Sequence, residues 1–313
     1  MEKATNRKNS QNLRIPSNYL LLLSELSVIS GKSSENLAKE LSKKIKANFV
    51  KSEIRVFADG ESKITLIGKL SKKKSIVVQS IYPPVDTNLV QALSLITKAK
   101  ENSSEVTAVI PYMGYARQDR EFLGGEIITI GVVGKLLKAA GVKKILTVDI
   151  HSKLALKELK IPSENVSAME VLVKHFKKMK MKDPLVVSPD LGGKERAEKF
   201  SNLLKTDFIA LKKHRDRKTG KVNILSGKVD VKNRDLILVD DMVSTGGSIV
   251  KATQFLKKQK CRRVFVVCTH ALLVNDATKK IKNAGVTQII STNTIPGESA
   301  KVDVSRVISD ALR

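Results

Sequence analysis

Leu236-Ile-Leu-Val-Asp240-Asp241-Met-Val-Ser244-Thr-Gly-Gly-Ser248 is the stretch from which the fold can be read. Its apolar start is a buried strand over Leu236–Asp240, and the residues from Gly247 to Lys258 carry a helical pattern. A strand, a small turn and a helix in that order form the repeating unit of an open α/β sheet, whose ligands bind at the carboxyl ends of the strands. The strand delivers Asp240 and Asp241 to that edge. Thr245, Gly246, Gly247 and Ser248 can then wrap backbone N–H groups and two hydroxyls around a phosphate on the helix N-terminus. Carboxylates aimed at a phosphate would repel it, so their sensible task is to accept hydrogen bonds from sugar hydroxyls. The combination suggests a phosphorylated sugar; the plain alternative is a buried strand ending in an Asp/Gly turn.

Outward from this stretch, short Val- and Ile-rich runs alternate with amphipathic segments, the pattern of a parallel α/β architecture. Strands are expected at Leu26–Ile29, Ile54–Phe57, Lys63–Ile67, Ser75–Gln79, Val106–Pro111 and Ile145–Asp149. A second series is expected at Leu185–Ser188, Phe208–Leu211, Asn223–Val229, Leu236–Asp240, Val264–Cys268 and Gln288–Ser291. Helices are expected at Ser34–Ala47 behind a Ser cap, Thr87–Ala99, Ile127–Ala140, Lys194–Leu204 and Gly247–Lys258. Two α/β units follow, residues 25–165 and 166–313, with Pro162 and polar residues at the boundary. The last helix, Val302–Leu312, could pack on either unit. Residues 1–24 are expected to be an appended, disordered tail or the product of a start site placed too far upstream.

The chain has 313 residues, with 57 Lys+Arg against 31 Asp+Glu, a formal charge of +26. That excess favours anionic partners without choosing among nucleic acid, lipid and phosphorylated small molecules. A hydrophobic fraction of 42% excludes a disordered chain, and the absence of Trp counts against a single-strand stacking platform. Cys261 and Cys268 are too few for a disulfide scaffold and have no His cluster nearby, which suits a reduced, cytoplasmic protein. No apolar run approaches membrane-spanning length, and Tyr19–Leu23 is too short for a secretory core. The Gly31-Lys-Ser33 string has Leu26 where a phosphate-binding loop would need its first glycine, and no G-x-G-x-x-G follows a strand.

The acid pair and its turn resemble the phosphoribosyl-pyrophosphate loop of type I phosphoribosyltransferases. The rest of the chain is similar to the phosphoribosyl pyrophosphate synthetase family, the ribose-phosphate pyrophosphokinases. The supporting motifs run in family order from about Leu26 to the C-terminus: Phe57-Ala-Asp59-Gly60-Glu61, Gln79-Ser80, Ile110-Pro-Tyr-Met-Gly-Tyr-Ala-Arg117-Gln118-Asp119-Arg120, Thr147-Val-Asp-Ile-His151, Val187-Ser-Pro-Asp190-Leu-Gly-Gly193 and Lys213-His-Arg215. The resemblance implies two tandem phosphoribosyltransferase-like domains, each a mostly parallel sheet flanked by helices. It also implies transfer of the diphosphoryl group of Mg²⁺-ATP to the 1-hydroxyl of ribose 5-phosphate.

The same resemblance assigns Asp240, Asp241 and Ser244 through Ser248 to ribose 5-phosphate. It assigns Phe57, Asp59, Gly60, Glu61, Arg117, Gln118, Asp119 and His151 to ATP, with Asp59, Gly60 and Glu61 offered to a neighbouring subunit of a homo-oligomer. Asp59 to Glu61 can equally be read as a hairpin turn, and Arg117 with Gln118 as surface charge. Family likeness places His151 and Asp190 beside the metal and triphosphate. Imidazole is a poor match for hard Mg²⁺, so His151 can instead serve as a donor to a phosphate oxygen. Lys213 and Arg215, on one face of an extended segment leading into a polar stretch at 216–221, are implied to be catalytic, their charges meeting the transferred group. Lys212 is adjacent and blurs that alignment by one residue.

Departures point toward archaeal members. Lys153-Leu-Ala-Leu156 stands where bacterial members carry a Gln-x-x-Gly-Phe-Phe-like stretch, the loop after Arg120 is acidic, and Ser244 replaces a frequent Asp. The rivals are a base phosphoribosyltransferase, a catalytically silent regulatory homologue, and a nucleic-acid binder motivated by charge alone. The last lacks any recognisable binding motif, so the sequence reading expects no nucleic acid and no membrane partner.

Overall fold

The computed structural model describes residues 25–215, 222–224 and 229–313, with backbone alone at 213–215 and 222–224. The first seven strands are β1 (Leu26–Ser30), β2 (Asn48–Val56), β3 (Ser62–Ile67), β4 (Lys74–Val78), β5 (Glu105–Ile110), β6 (Lys144–Val148) and β7 (Ser163–Val166). They form one sheet in the order β3-β2-β1-β4-β5-β6-β7, parallel except for the β2–β3 hairpin. Its helices are α1 (Glu35–Lys44), α2 (Val85–Asn102), α3 (Thr129–Ala139) and α4 (Lys153–Glu158).

The second sheet contains β8 (Leu185–Ser188), β9 (Phe208–Ala210), β12 (Asp235–Val243), β13 (Arg263–Ala271), β14 (Gln288–Thr292) and β15 (Ala300–Val302). They run all parallel in the order β15-β14-β13-β12-β8-β9. Between β9 and β12, β10 (Lys213–Arg215) pairs antiparallel with β11 (Val222–Ile224) as a separate ribbon. The helices here are α5 (Met169–Phe176), α6 (Lys194–Leu204), α7 (Gly247–Lys258), α8 (Ala277–Asn283) and α9 (Ser305–Ala311).

Central strands such as Glu105-Val-Thr-Ala-Val-Ile110 are apolar almost throughout because helices cover both faces of a parallel sheet. One core crosses between the sheets: Val28, Ile76 and Leu146 of the first join Val186, Ile237 and Phe265 of the second. The Phe176 ring packs edge-on against Phe200 and Phe265 within it. The last helix, α9, packs on α1.

Three differences from the sequence reading have physical causes. β7 was not expected: Ser-Glu-Asn-Val is a half-exposed edge strand and needs no apolar run. Ser34 stands at the α1 N-cap, yet its hydroxyl accepts from Ser80 N at 2.9 Å instead of capping the helix. β12 continues to Val243, so the acid pair lies inside the strand and the ligand edge begins at Ser244. Gly31 opens the 3₁₀ turn Lys32–Ser34, and a Cβ there would sit 1.9 Å from Gln79 Oε1. The expected residue 225–229 end of a strand, the polar stretch 216–221 and the tail 1–24 lie outside the described residues, save for Val229.

Candidate active site

β12 is hydrogen-bonded on both sides, to β8 and β13, and this rigid middle strand carries the acid pair to a cavity of about 530 Å³. The turn after it lines the same cavity from Ser244 to Ser248. Gly246 takes φ +74°, where an L side chain is strained, and a Cβ there would meet Ile281 Cδ1 at 2.7 Å. Glycine is therefore required for α8 to close against the turn. α7 starts at Gly247 with no side-chain cap and no acidic residue in its first turn. Its N–H groups and dipole thus face the cavity in the way that anions are held at helix N-termini.

The two carboxylates share one guanidinium. Arg196 Nη1 donates to Asp240 Oδ1 at 3.0 Å, and Nη2 lies 3.4 Å from Asp241 Oδ1. Asp241 Oδ2 also lies 2.7 Å from His151 Nδ1, a contact that reaches from the end of the first sheet to the second. Burial and the neighbouring Asp241 charge push the Asp240 carboxyl up to about 7. Burial would also raise Asp241, but the His151 hydrogen bond and the Arg196 charge overcome it and hold that carboxyl well below the usual range. The pair therefore divides into one carboxyl that readily takes a proton and one firmly ionised carboxylate.

Arg117, His151 and Asp190 line the same cavity, so both sheets contribute to it. Asp190 Oδ1 accepts from Gly193 N at 3.2 Å, and Ser188 Oγ donates to the Asp190 carbonyl at 2.6 Å. Two other expected residues lie elsewhere. Gln118 is exposed and outside the cavity lining. Asp119 is buried, accepts from Arg120 Nε at 3.1 Å and Nη2 at 3.2 Å, and takes the Ser152 hydroxyl at the start of α4. Those bonds, Arg120 first, hold its carboxyl below the usual range. It secures the loop bearing His151 instead of facing the cavity.

Phe57 to Glu61 form the β2–β3 hairpin turn. Phe57 N donates to Glu61 O at 2.8 Å, Glu61 N donates to Asp59 Oδ1 at 3.1 Å, and Gly60 takes φ +93°. None of the four lines the cavity of its own chain. Lys213 and Arg215 occupy alternate positions of β10, and their side chains lie outside the described residues.

Arg196 is a charged residue of this cavity that sequence reasoning missed. It lies three positions after Gly193, inside a helix whose other charges are solvated, and no local spacing marks it as facing Asp240 and Asp241, 44 and 45 residues later. Only its closeness to the Asp190–Gly193 loop hinted at it.

A family model described as the N-terminal domain of ribose phosphate pyrophosphokinase matches residues 26–141. Another, described as the phosphoribosyl synthetase-associated domain, matches residues 202–313. The ribose-phosphate pyrophosphokinase of Sulfurisphaera tokodaii is 35% identical over 283 residues, 88% of this chain and 96% of that protein. The Haemophilus influenzae protein of the same name is 33% identical over 302 residues, 92% of this chain and 95% of its own length. The crystal structure of phosphoribosylpyrophosphate synthetase from Mycobacterium smegmatis superposes with a TM-score of 0.81 at 28% identity, covering 92% of this chain and 98% of that one.

Proposed function

The chain belongs to the ribose-phosphate pyrophosphokinase family, and on that premise we propose how its residues divide the work. The reaction moves the diphosphoryl group of ATP to the 1-hydroxyl of ribose 5-phosphate, giving 5-phosphoribosyl 1-diphosphate and AMP. The observation that carries the assignment is the uncapped α7 N-terminus opening on the same cavity as the Asp240–Asp241 pair, Arg117 and His151. An anion site beside an acid pair matches a sugar phosphate: Ser244 to Ser248 hold the 5-phosphate while Asp240 and Asp241 accept from the ribose hydroxyls.

On this reading Arg117 and Gln118 take the nucleotide from the first unit, with Asp119 acting through Ser152 to hold the loop that carries His151. The 1-hydroxyl oxygen attacks the β-phosphorus as the bond from that phosphorus to the α-phosphate oxygen breaks; AMP leaves with that oxygen, and the hydroxyl proton passes to solvent. There is little covalent work for the protein beyond alignment and charge stabilisation. Lys213 and Arg215 supply the charge from the β10–β11 ribbon.

Mg²⁺ fits the donors present in one way. Among the described residues no group of three or more His, Cys, Asp or Glu converges on a point. That suits an ion held chiefly by substrate phosphates and water with one carboxylate, not a protein cage. Asp190 would supply the carboxylate, with His151 alongside offering its remaining ring nitrogen, Nε2. When bound, the ion neutralises charge on the phosphate oxygens.

We assign residues 25–165 to an ATP-side unit and 166–313 to a ribose-phosphate unit. The active form is a homo-oligomer in which Phe57, Asp59, Gly60 and Glu61 complete the ATP site of a neighbour. Two observations support this: the hairpin turn stands away from its own cavity, and Phe122, Leu123, Ile127, Val132 and Leu136 expose apolar surface on and beside α3. Among the described residues no helix is long and apolar enough to cross a membrane. A cytoplasmic setting agrees with Cys261 and Cys268 being free and buried.

Calorimetric titration tests the substrate assignment. Ribose 5-phosphate should bind, ribose should bind far more weakly, and Asp241→Asn should weaken the sugar phosphate by about tenfold, the value of one hydrogen bond to a charged group. Equal affinity for inorganic phosphate and ribose 5-phosphate would remove the acid pair from the reading.

A further inference from the structure

We infer that Thr269 and His270 are positioning residues for this reaction: they clasp the end of β6, which carries His151, to the sheet that carries the acid pair. The inference rests on the function proposed above, and neither residue lines the substrate cavity.

The cavity is built from two sheets, so its dimensions depend on what fastens one sheet to the other. β13 lies next to β12, with Cys268 opposite Asp240 and His270 opposite Met242. His270 is 2% exposed, and its Nε2 lies 3.0 Å from the carbonyl oxygen of Val148, the last residue of β6. A carbonyl only accepts, so Nε2 carries the proton. Burial holds this imidazole below the ordinary histidine value and keeps it neutral, which leaves Nδ1 to accept from Thr294 Oγ1 at 2.9 Å. Thr292 Oγ1 then donates to Thr269 O at 2.8 Å, and every polar atom of this group has a partner.

A second fastening runs beside the first. Thr269 Oγ1 donates to Asp149 Oδ2 at 2.7 Å, the same oxygen that accepts from Ala168 N at 3.0 Å. Asp149 has φ +40°, a conformation that a non-glycine residue keeps only when its surroundings enforce it. Two residues later the chain presents His151 to Asp241 at 2.7 Å. A third fastening comes through Ser80, whose hydroxyl donates to Thr294 O at 2.6 Å and accepts from Tyr112 N at 3.1 Å, with the Tyr112 ring edge-on to His270. The strand end that leads to His151 is thus held by Thr269 and His270, and the one that leads to Arg117 by Thr294 and by the Tyr112 ring contact with His270.

Burying a histidine and three threonines here costs solvation that apolar residues would not. What the polar groups supply is direction: the His270 bond fixes the Val148 carbonyl at the end of β6, and the Thr269 bond fixes the Asp149 side chain in the turn that follows. A displacement of about 1 Å between reacting groups costs about 100-fold in rate, so that direction bears on kcat more than on binding to the second sheet alone.

The test compares His270→Phe, His270→Gln and Thr269→Val in the full-length protein. Expected for His270→Phe are a kcat lowered about 100-fold and a calorimetric affinity for ribose 5-phosphate within about threefold of wild type, because α7 and the acid pair stay on their own sheet. Gln keeps an N–H toward Val148 O and should recover at least about tenfold of that loss, while Thr269→Val should lose about tenfold. Amide hydrogen exchange should quicken at 149–152 in His270→Phe and Thr269→Val and stay protected at 240–243. Unchanged exchange at 149–152, or parallel loss of kcat and ribose 5-phosphate affinity, would overturn the clasp. Gln no better than Phe would do the same. If His270→Phe does not fold, Thr269→Val decides by the same measurements. Wild type that binds no ribose 5-phosphate would contradict the function, whereas the exchange comparison still judges the clasp by itself.

Discussion

His151 and Asp241, 90 positions apart in the chain, meet at 2.7 Å through Nδ1 and Oδ2 and join the two sheets at the cavity they both line. Asp241 also faces Arg196, whereas Asp240, its neighbour, has Arg196 and no histidine. That asymmetry separates the two carboxyls by charge state and gives each a different expected response to substitution.

Asp241→Asn removes an ionised acceptor with two partners and should lower kcat/KM for ribose 5-phosphate by about 100-fold, near 3 kcal/mol. Asp240→Asn replaces a carboxyl already inclined to be neutral and should cost clearly less. Steady-state kinetics at neutral pH decide this; equal losses would remove the distinction.

The Asp240 carboxyl also sets a slope of stability with pH. Its folded pKa is raised to about 7, above the usual carboxylate range, so between those values the folded protein holds a proton that the unfolded chain has released. Stability of the ligand-free protein should therefore fall as pH rises from about 4 to about 7, and Asp240→Asn should flatten that component. Denaturant titrations of both proteins across the window make the comparison.

Arg196→Met should leave two adjacent carboxylates without the guanidinium they share and raise the KM for ribose 5-phosphate by about tenfold or more, from the lost charged hydrogen bonds. Arg196→Lys restores a cation without the fork that reaches both acids, so its recovery should be partial. Complete rescue by Lys would show that charge alone matters.

The two glycines of the turn should behave differently in unfolding experiments. Gly246→Ala meets a left-handed φ and the Ile281 side chain, and should destabilise by about 1–2 kcal/mol. Gly247→Ala has nothing within 4 Å of its new methyl and should leave stability nearly unchanged. Similar losses at both positions would contradict the packing of α8 against the turn.

The α/β order was legible because parallel strands are buried on both faces and read as apolar runs; β8 and α6 have the boundaries that the sequence suggests. The Ser244–Ser248 turn was legible because its small residues and the Asp pair before it are contiguous. Edge elements such as β7 and β15 were not, since neither needs a hydrophobic run. Arg196, Thr269 and His270 escaped notice because their roles arise from pairings between sheets, which no local pattern encodes. Asp240, Asp241 and Ser244 to Ser248 line one cavity, with the acid pair inside β12 and not past its end, whereas the Phe57–Glu61 turn stands apart from the cavity of its own chain.

The most direct measurement is AMP formation from ATP with and without ribose 5-phosphate, by wild type and by Lys213→Ala, with folding of both checked by circular dichroism. AMP and 5-phosphoribosyl 1-diphosphate should appear in equal amounts, only when ribose 5-phosphate is present. Lys213→Ala should lose about 3 kcal/mol of transition-state stabilisation, comparable to deleting an oxyanion donor. Folded wild type that releases no AMP in response to ribose 5-phosphate would contradict the function, and a Lys213→Ala variant with wild-type turnover would contradict the role given to Lys213.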